Sequence, residues 1–295
     1  MDKPPRLVFR RTQDAPHILV FAHGITQTAR GLYGFADLVA AHAPEVDIAI
    51  FDYDWKQPLA TSGAQLAAQL ADLRRHRHIT LVGYSMGGLI ARLAVADHAP
   101  AKVRTVLTLA TPNRGALTPA QLGPLAQDTV EGGKRLVSPI AHCPGVRQLA
   151  EVDPIMRGRS LRADVQAAVQ DKRYGSVPAL YFHPNRYWRE AKTPMRKAGL
   201  AMGAIKKMPR PHDGIVAEPS NDLVARARGD FAEFHHARYD GASPARCHAI
   251  HAEALDLDHI SILQSEAIAE VVADLARAPD WAAFGLGPSL QVFVG

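Results

Sequence analysis

Between residues 17 and 110 short apolar runs alternate with helical stretches, and few architectures satisfy that alternation. HILVFA (17–22), VDIAIFDY (46–53), HITLVG (78–83) and VRTVLTLA (103–110) are strand-like runs, apolar nearly throughout. Helical stretches separate them at 34–43, at 61–75, where Leu66, Leu70 and Leu73 fall three or four apart, and at 86–98, which is rich in Gly and Ala. A strand that is apolar on both faces needs cover on both faces. Strands alternating with helices mean βαβ units and a mostly parallel sheet, an α/β fold.

Beyond Thr111-Pro112 the rhythm breaks. Residues 115–172 are punctuated by Pro and Gly, with a helical pattern at 160–171. A strand pattern returns at VPALYFH (177–183), and 184–212 is irregular and basic. The last strand is expected within 246–256, followed by a helix over 261–277 with Ile262, Ile268, Val271, Val272 and Leu275 on or near one face. This organisation reads as one domain over 1–295, with a lid or cap inserted at 115–147.

The 295 residues are 47% hydrophobic and 21% charged, enough for a substantial core and against global disorder. The net charge of +5 is scattered rather than gathered, so nucleic acid is not indicated. Transient contact with an anionic membrane surface, or an acidic substrate, is compatible with it. Oligomeric state is not legible. Cys143 and Cys247 make no metal spacing and no disulfide framework, and two reduced thiols are expected. The N-terminus has no apolar signal-peptide core. No apolar stretch approaches the roughly 18 residues of a membrane span, so a cytoplasmic protein is expected. HAIHAE (248–253) is not a zinc motif, and no metal and no cofactor are expected.

The chemistry concentrates in Gly83-Tyr84-Ser85-Met86-Gly87-Gly88, set between a strand and a helix. Such a serine sits on a tight strand-to-helix turn with its hydroxyl clear of the sheet edge. Gly83 and Gly87 admit neighbouring backbone that a Cβ would exclude. The helix start aims unpaired N–H groups at the space above Ser85. A structural serine in a Gly-rich turn is the alternative. A phosphate loop would need a Lys-Ser/Thr pair and a spacing that are missing.

This stretch resembles the nucleophile elbow of the α/β-hydrolase superfamily, and more narrowly its bacterial lipase and esterase-like branch, which takes in inositol-deacylase-like proteins. VFAHGITQT (20–28), LATPNRGA (109–116) and QLAEVDPIMRGRSLRADV (148–165) extend the similarity, which is good over about 17–114 and patchy beyond. The resemblance implies a serine hydrolase acting on carboxylic esters through an acyl-enzyme. It implies Ser85 as nucleophile, with the remaining partners in the order acid, then histidine. LDLDHISIL (255–263) fits the base at His259; His235, His236, His248 and His251 are the other late histidines. RPHDGIVAEPSN (210–221) fits the acid at Asp213, with Asp256 and Asp258 as main rivals and Asp222 and Asp230 behind them. The backbone amides of Ile25 and Met86 would form the oxyanion hole, with His23 and Gly24 shaping its loop. His23 precedes the serine and is not expected to be the base. An acyltransferase using the same residues, or a non-catalytic binding protein of this fold, are the alternatives; the substrate would be a small-molecule ester or lipid.

Overall fold

The computed structural model describes residues 4–98, 100–112, 130–131, 134–135, 143–149, 173–177, 216, 247–251, 259–277 and 291–294. In chain order the elements are β1 (Arg6–Arg11), β2 (His17–Ala22), α1 (Tyr33–His42), β3 (Asp47–Asp52), α2 (Leu59–Ala71), β4 (His78–Tyr84), α3 (Met86–His98) and β5 (Val103–Leu109). They continue with the short pair β6 (Val130–Glu131) and β7 (Lys134–Arg135), then α4 (Pro144–Leu149), β8 (Arg173–Val177), β9 (Cys247–His251), α5 (Glu266–Arg277) and β10 (Gln291–Val294).

Among the described residues, eight strands form one sheet in the order β1-β3-β2-β4-β5-β8-β9-β10. The six inner strands run parallel, and β1 and β10 pair antiparallel at the two edges. The four inner strands expected at 17–22, 46–53, 78–83 and 103–110 are all present. Their side chains alternate between two apolar layers, as the period of two requires. Leu19, Phe21, Ile48, Ile50, Val82 and Leu107 face the layer built with α1 and α5. Ile18, Val20, Ala49, Phe51, Leu81 and Val106 face the layer built with α2 and α3. In α3 every residue from Met86 to Val95 is buried, because the helix lies between the sheet and α2. Gly63 of α2 makes that packing close: a Cβ there would stand 3.0 Å from Leu93 Cβ.

Several boundaries differ from expectation. Helix α2 ends at Ala71 rather than 75, and in the turn that follows Lys102 Nζ donates to the carbonyls of Leu73 and Arg74. Leu73 keeps its place in the core from that turn. The helix expected over 261–277 is two pieces, a 3-10 turn Ser261–Gln264 and α5. Ser265 separates them as an N-cap whose Oγ accepts from the Ile268 amide at 3.3 Å. The strand beside β5 is described over Arg173–Val177; of the strand expected at 177–183 only Val177 is among the described residues. The strand within 246–256 is present as β9 but is not the last, since β10 pairs onto it with Val292 opposite Ile250. Strand β1 was not foreseen: it is a half-exposed edge with Arg6, Arg10 and Arg11, so its apolar alternation is weak. Of the expected lid, only the β6–β7 pair and the start of α4 are described. The basic stretch 184–212 and the helical pattern at 160–171 lie outside the described residues. Helix α4 is seated on the loop after β3: Gly145 N–H donates to Lys56 C=O at 3.1 Å, and Gln148 Oε1 accepts from the Leu59 amide at 2.8 Å. No described helix is long and apolar enough to cross a membrane.

Candidate active site

Ser85 joins the C-terminal end of β4 to the first turn of α3 with φ of 52°. That left-handed conformation costs a residue with a Cβ about 1–2 kcal/mol, so the surroundings must impose it. They do so from both sides. The Ser85 amide donates to Leu109 C=O on β5 at 2.8 Å, and Ser85 C=O accepts from the Gly88 amide at 3.0 Å. The two glycines of the pattern are there for close approach. A Cβ on Gly83 would collide with the backbone of Gly87 and Gly88, and one on Gly87 would lie 2.6 Å from the His23 carbonyl oxygen.

The turn at the carboxyl end of β4 meets His259 from across the chain. His259 Nε2 lies 3.0 Å from Ser85 Oγ. Both side chains are nearly buried, at 4% and 5% exposure, so little water competes for this contact. With Nε2 unprotonated, the serine hydroxyl donates to it and Nδ1 carries the ring proton. Asp213, the expected acid, and its rivals Asp222, Asp230, Asp256 and Asp258 lie outside the described residues. His248 and His251 are on β9; His235 and His236 lie outside the described residues.

His23 has a different place. It is fully buried, its ring stacks on Tyr53 with centroids 4.2 Å apart, and burial holds its pKa below the ordinary value. The ring is therefore neutral, and its neighbours assign the tautomer. Nδ1–H donates to Gly24 C=O at 2.9 Å, while Nε2 accepts from the Tyr53 amide at 3.4 Å. The Asp52 carboxylate is 3.9 Å from Nε2 and its Oδ1 instead accepts from the Ala29 amide at 2.9 Å. A ring engaged at both nitrogens by backbone has no position left from which to serve Ser85 as a base.

These contacts fix two successive peptide planes. The His23–Gly24 unit is held at both ends: Tyr53 O–H donates to its carbonyl at 2.6 Å, and Gln27 Oε1 accepts from its N–H at 3.0 Å. The Gly24–Ile25 unit is held at its carbonyl by the His23 ring. In a trans peptide the N–H points opposite to the C=O, so the direction of the Ile25 N–H is set by His23. Among the described residues nothing accepts from that N–H, nor from the Met86 N–H at the start of α3. The turn also lies against the serine, since a Cβ on Gly24 would stand 3.1 Å from Ser85 Cβ. Ile25 and Met86 join the same apolar layer.

Tyr53, Gln27 and Tyr84 were not singled out in the sequence. Gln27 and Tyr84 do lie inside the stretches that carry the resemblance; Tyr53 ends a strand-like run and gives no such sign. Among the described residues, no group of three His, Cys, Asp or Glu side chains is placed to hold a metal ion.

The sequence profile of the Alpha/beta hydrolase family matches residues 19–274, most of the chain. The chain belongs to the alpha/beta hydrolase family. Among solved structures, this chain is similar to the mature form of a Bacillus licheniformis lipase, at 21% identity and a TM-score of 0.58, over 92% of this chain and 97% of that one. It is also similar to the propeptide form of that lipase, at 22% identity and a TM-score of 0.51, over 79% of this chain and 49% of that one. A lipase-esterase related protein of Clostridium acetobutylicum is more distant, at 15% identity and a TM-score of 0.43, over 59% of this chain and 79% of that one. At these identities the likeness is one of fold. No curated protein matches the chain by sequence. Ser85 stands just past the carboxyl end of β4, among parallel strands, where open α/β sheets carry their ligands.

Proposed function

We propose that this alpha/beta hydrolase cleaves carboxylic esters by serine-based acyl transfer to water. The observation that carries the reading is the 3.0 Å contact between Ser85 Oγ and His259 Nε2, made by a serine held at φ 52°. In the reaction Oγ attacks the ester carbonyl carbon as Nε2 takes the hydroxyl proton. His259 then gives that proton to the leaving alcohol. The resulting acyl-enzyme is opened by water, from which His259 takes a proton that it returns to Oγ. Asp213 accepts from Nδ1–H, keeping Nε2 free to act and stabilising the imidazolium. The amides of Ile25 and Met86 donate to the oxyanion; each such donor is worth about 3 kcal/mol in the transition state. The first is supported by the peptide planes that His23, Tyr53 and Gln27 hold. The second is supported by its place at a helix start, where N–H groups lack intrahelical acceptors. That a similar Bacillus licheniformis protein is a lipase supports an ester or lipid as substrate.

The test pairs a fluorophosphonate probe with a p-nitrophenyl ester series of increasing acyl length. Folded wild-type protein should label at Ser85 and turn over esters, and Ser85→Ala should do neither. Full activity in Ser85→Ala would refute the assignment, and absence of labelling in folded wild type would favour a binding protein.

A further inference from the structure

Tyr84 is the last residue of β4 and the covalent neighbour of the nucleophile, yet the chemistry above gives its phenol no task. The side chain is nearly buried. Its hydroxyl donates to the main-chain carbonyl of His259 at 2.8 Å. Its ring lies 5.3 Å from the imidazole, centroid to centroid, at an interplanar angle of 43°. The same ring backs the oxyanion turn, because a Cβ on Gly24 would stand 3.2 Å from both Cδ1 and Cε1. One side chain thus touches the turn that presents Ile25, adjoins the serine and holds the backbone of the base.

The position of Nε2 depends on two side-chain torsions and on where the His259 backbone sits. That backbone is in a turn before the 3-10 segment Ser261–Gln264, outside the sheet. A shift of about 1 Å there would carry the Oγ–Nε2 pair from hydrogen-bond range to beyond it, and misplacement on that scale costs rate rather than binding. We infer that Tyr84 is a positioning residue: its hydroxyl ties the His259 main chain to β4 and so sets the distance between base and nucleophile. The inference rests on the reading of Ser85 and His259 as nucleophile and base.

Tyr84→Phe removes the donor and keeps the ring. On a p-nitrophenyl ester its kcat should fall about fivefold to tenfold, the effect of one buried hydrogen bond, with KM within twofold of wild type. The rate of fluorophosphonate labelling at Ser85 should fall by the same factor. p-Aminophenylalanine at position 84, which restores an N–H donor at the para position, should recover most of the loss. If Tyr84→Phe does not fold, p-fluorophenylalanine, which fills the space without a donor, carries the same comparison. An unchanged kcat, a change confined to KM, or no recovery with p-aminophenylalanine would overturn the inference. His259→Ala is measured alongside. If it stays active, the base is misassigned; if it is inactive while Tyr84→Phe equals wild type, only the positioning role fails.

Discussion

Gly87→Ala puts one methyl group between the two backbone segments proposed to hold the oxyanion. The added Cβ would press hardest on the Ala22 carbonyl oxygen and would also stand 2.6 Å from the His23 carbonyl oxygen and from the Ala22 carbonyl carbon. Ordinary contact begins near 3.4 Å, so the end of β2 and the first turn of α3 must part by at least about 0.8 Å to clear the 2.6 Å contacts, and by more at the Ala22 oxygen. Neither side is a flexible side chain that can swing away. Overpacking of this kind costs about 1–3 kcal/mol of stability. The larger effect falls on the reaction. The separation carries the Ile25 turn away from Met86, and an N–H···O contact of about 2.9 Å lengthened by that amount leaves hydrogen-bond range. Losing one such donor lowers kcat by about 10²-fold or more. The assay is p-nitrophenyl ester turnover per site titrated with fluorophosphonate, with thermal melting in parallel. Gly34→Ala in α1 is the control, since a Cβ there meets nothing within 4 Å; it should keep kcat and gain up to about 1 kcal/mol of helix stability. Wild-type turnover in Gly87→Ala would refute the close approach of turn and helix as the source of the oxyanion geometry.

Asp213→Asn should lower kcat by about 10⁴-fold with little change in KM, by favouring the wrong imidazole tautomer; a comparable loss in Asp256→Asn or Asp258→Asn instead would move the acid there. Asp47, buried at the opposite end of the sheet, accepts from the Gln13 amide and from Arg75 and His76, both at 2.9 Å. Burial pushes its carboxyl up, but His76, the amides of Gln13 and Ala15 and the Arg75 charge bring it below the usual value. Asp47→Ala should therefore cost about 2–3 kcal/mol in urea unfolding, reduced from a fully buried pair by the exposure of Arg75, without altering turnover per titrated site. Stability should also fall below pH 6.5. Burial holds His23 below that ordinary value, and burial with the charges of His17, Arg104 and Arg77 does the same for His78. The unfolded chain thus takes up protons first, and stability present above pH 6.5 is lost on acidification, at up to about 1.4 kcal/mol per pH unit for His23. Identical unfolding midpoints at pH 7 and pH 5 would contradict this.

What the sequence alone determined is the part that depends on local pattern. Strands covered on both faces are apolar throughout, so β2, β3, β4 and β5 were legible within about a residue. A tight strand-to-helix turn needs small residues at fixed offsets, so the turn at Gly83, Ser85 and Gly87 was legible too. The edges were not. Strand β1 is half in water and β10 is four residues long, so neither carries the full apolar run of an inner strand. The helix break at Ser265 lay hidden in a continuous apolar face, since one capping hydroxyl does not disturb periodicity. The tertiary structure alone decided which side chains meet. Ser85 and His259 are separated by 174 residues, and only the parallel sheet brings Oγ and Nε2 to 3.0 Å. His23 was expected to shape the oxyanion loop from its place before the serine, but the contacts that hold its ring, to Gly24 and Tyr53, are visible only in the structure. Nothing in the sequence singles out Tyr84; only the structure places its hydroxyl on the backbone of His259. Periodicity reports which way a side chain faces; the partner it finds there depends on chain brought from far away, and no local pattern encodes that.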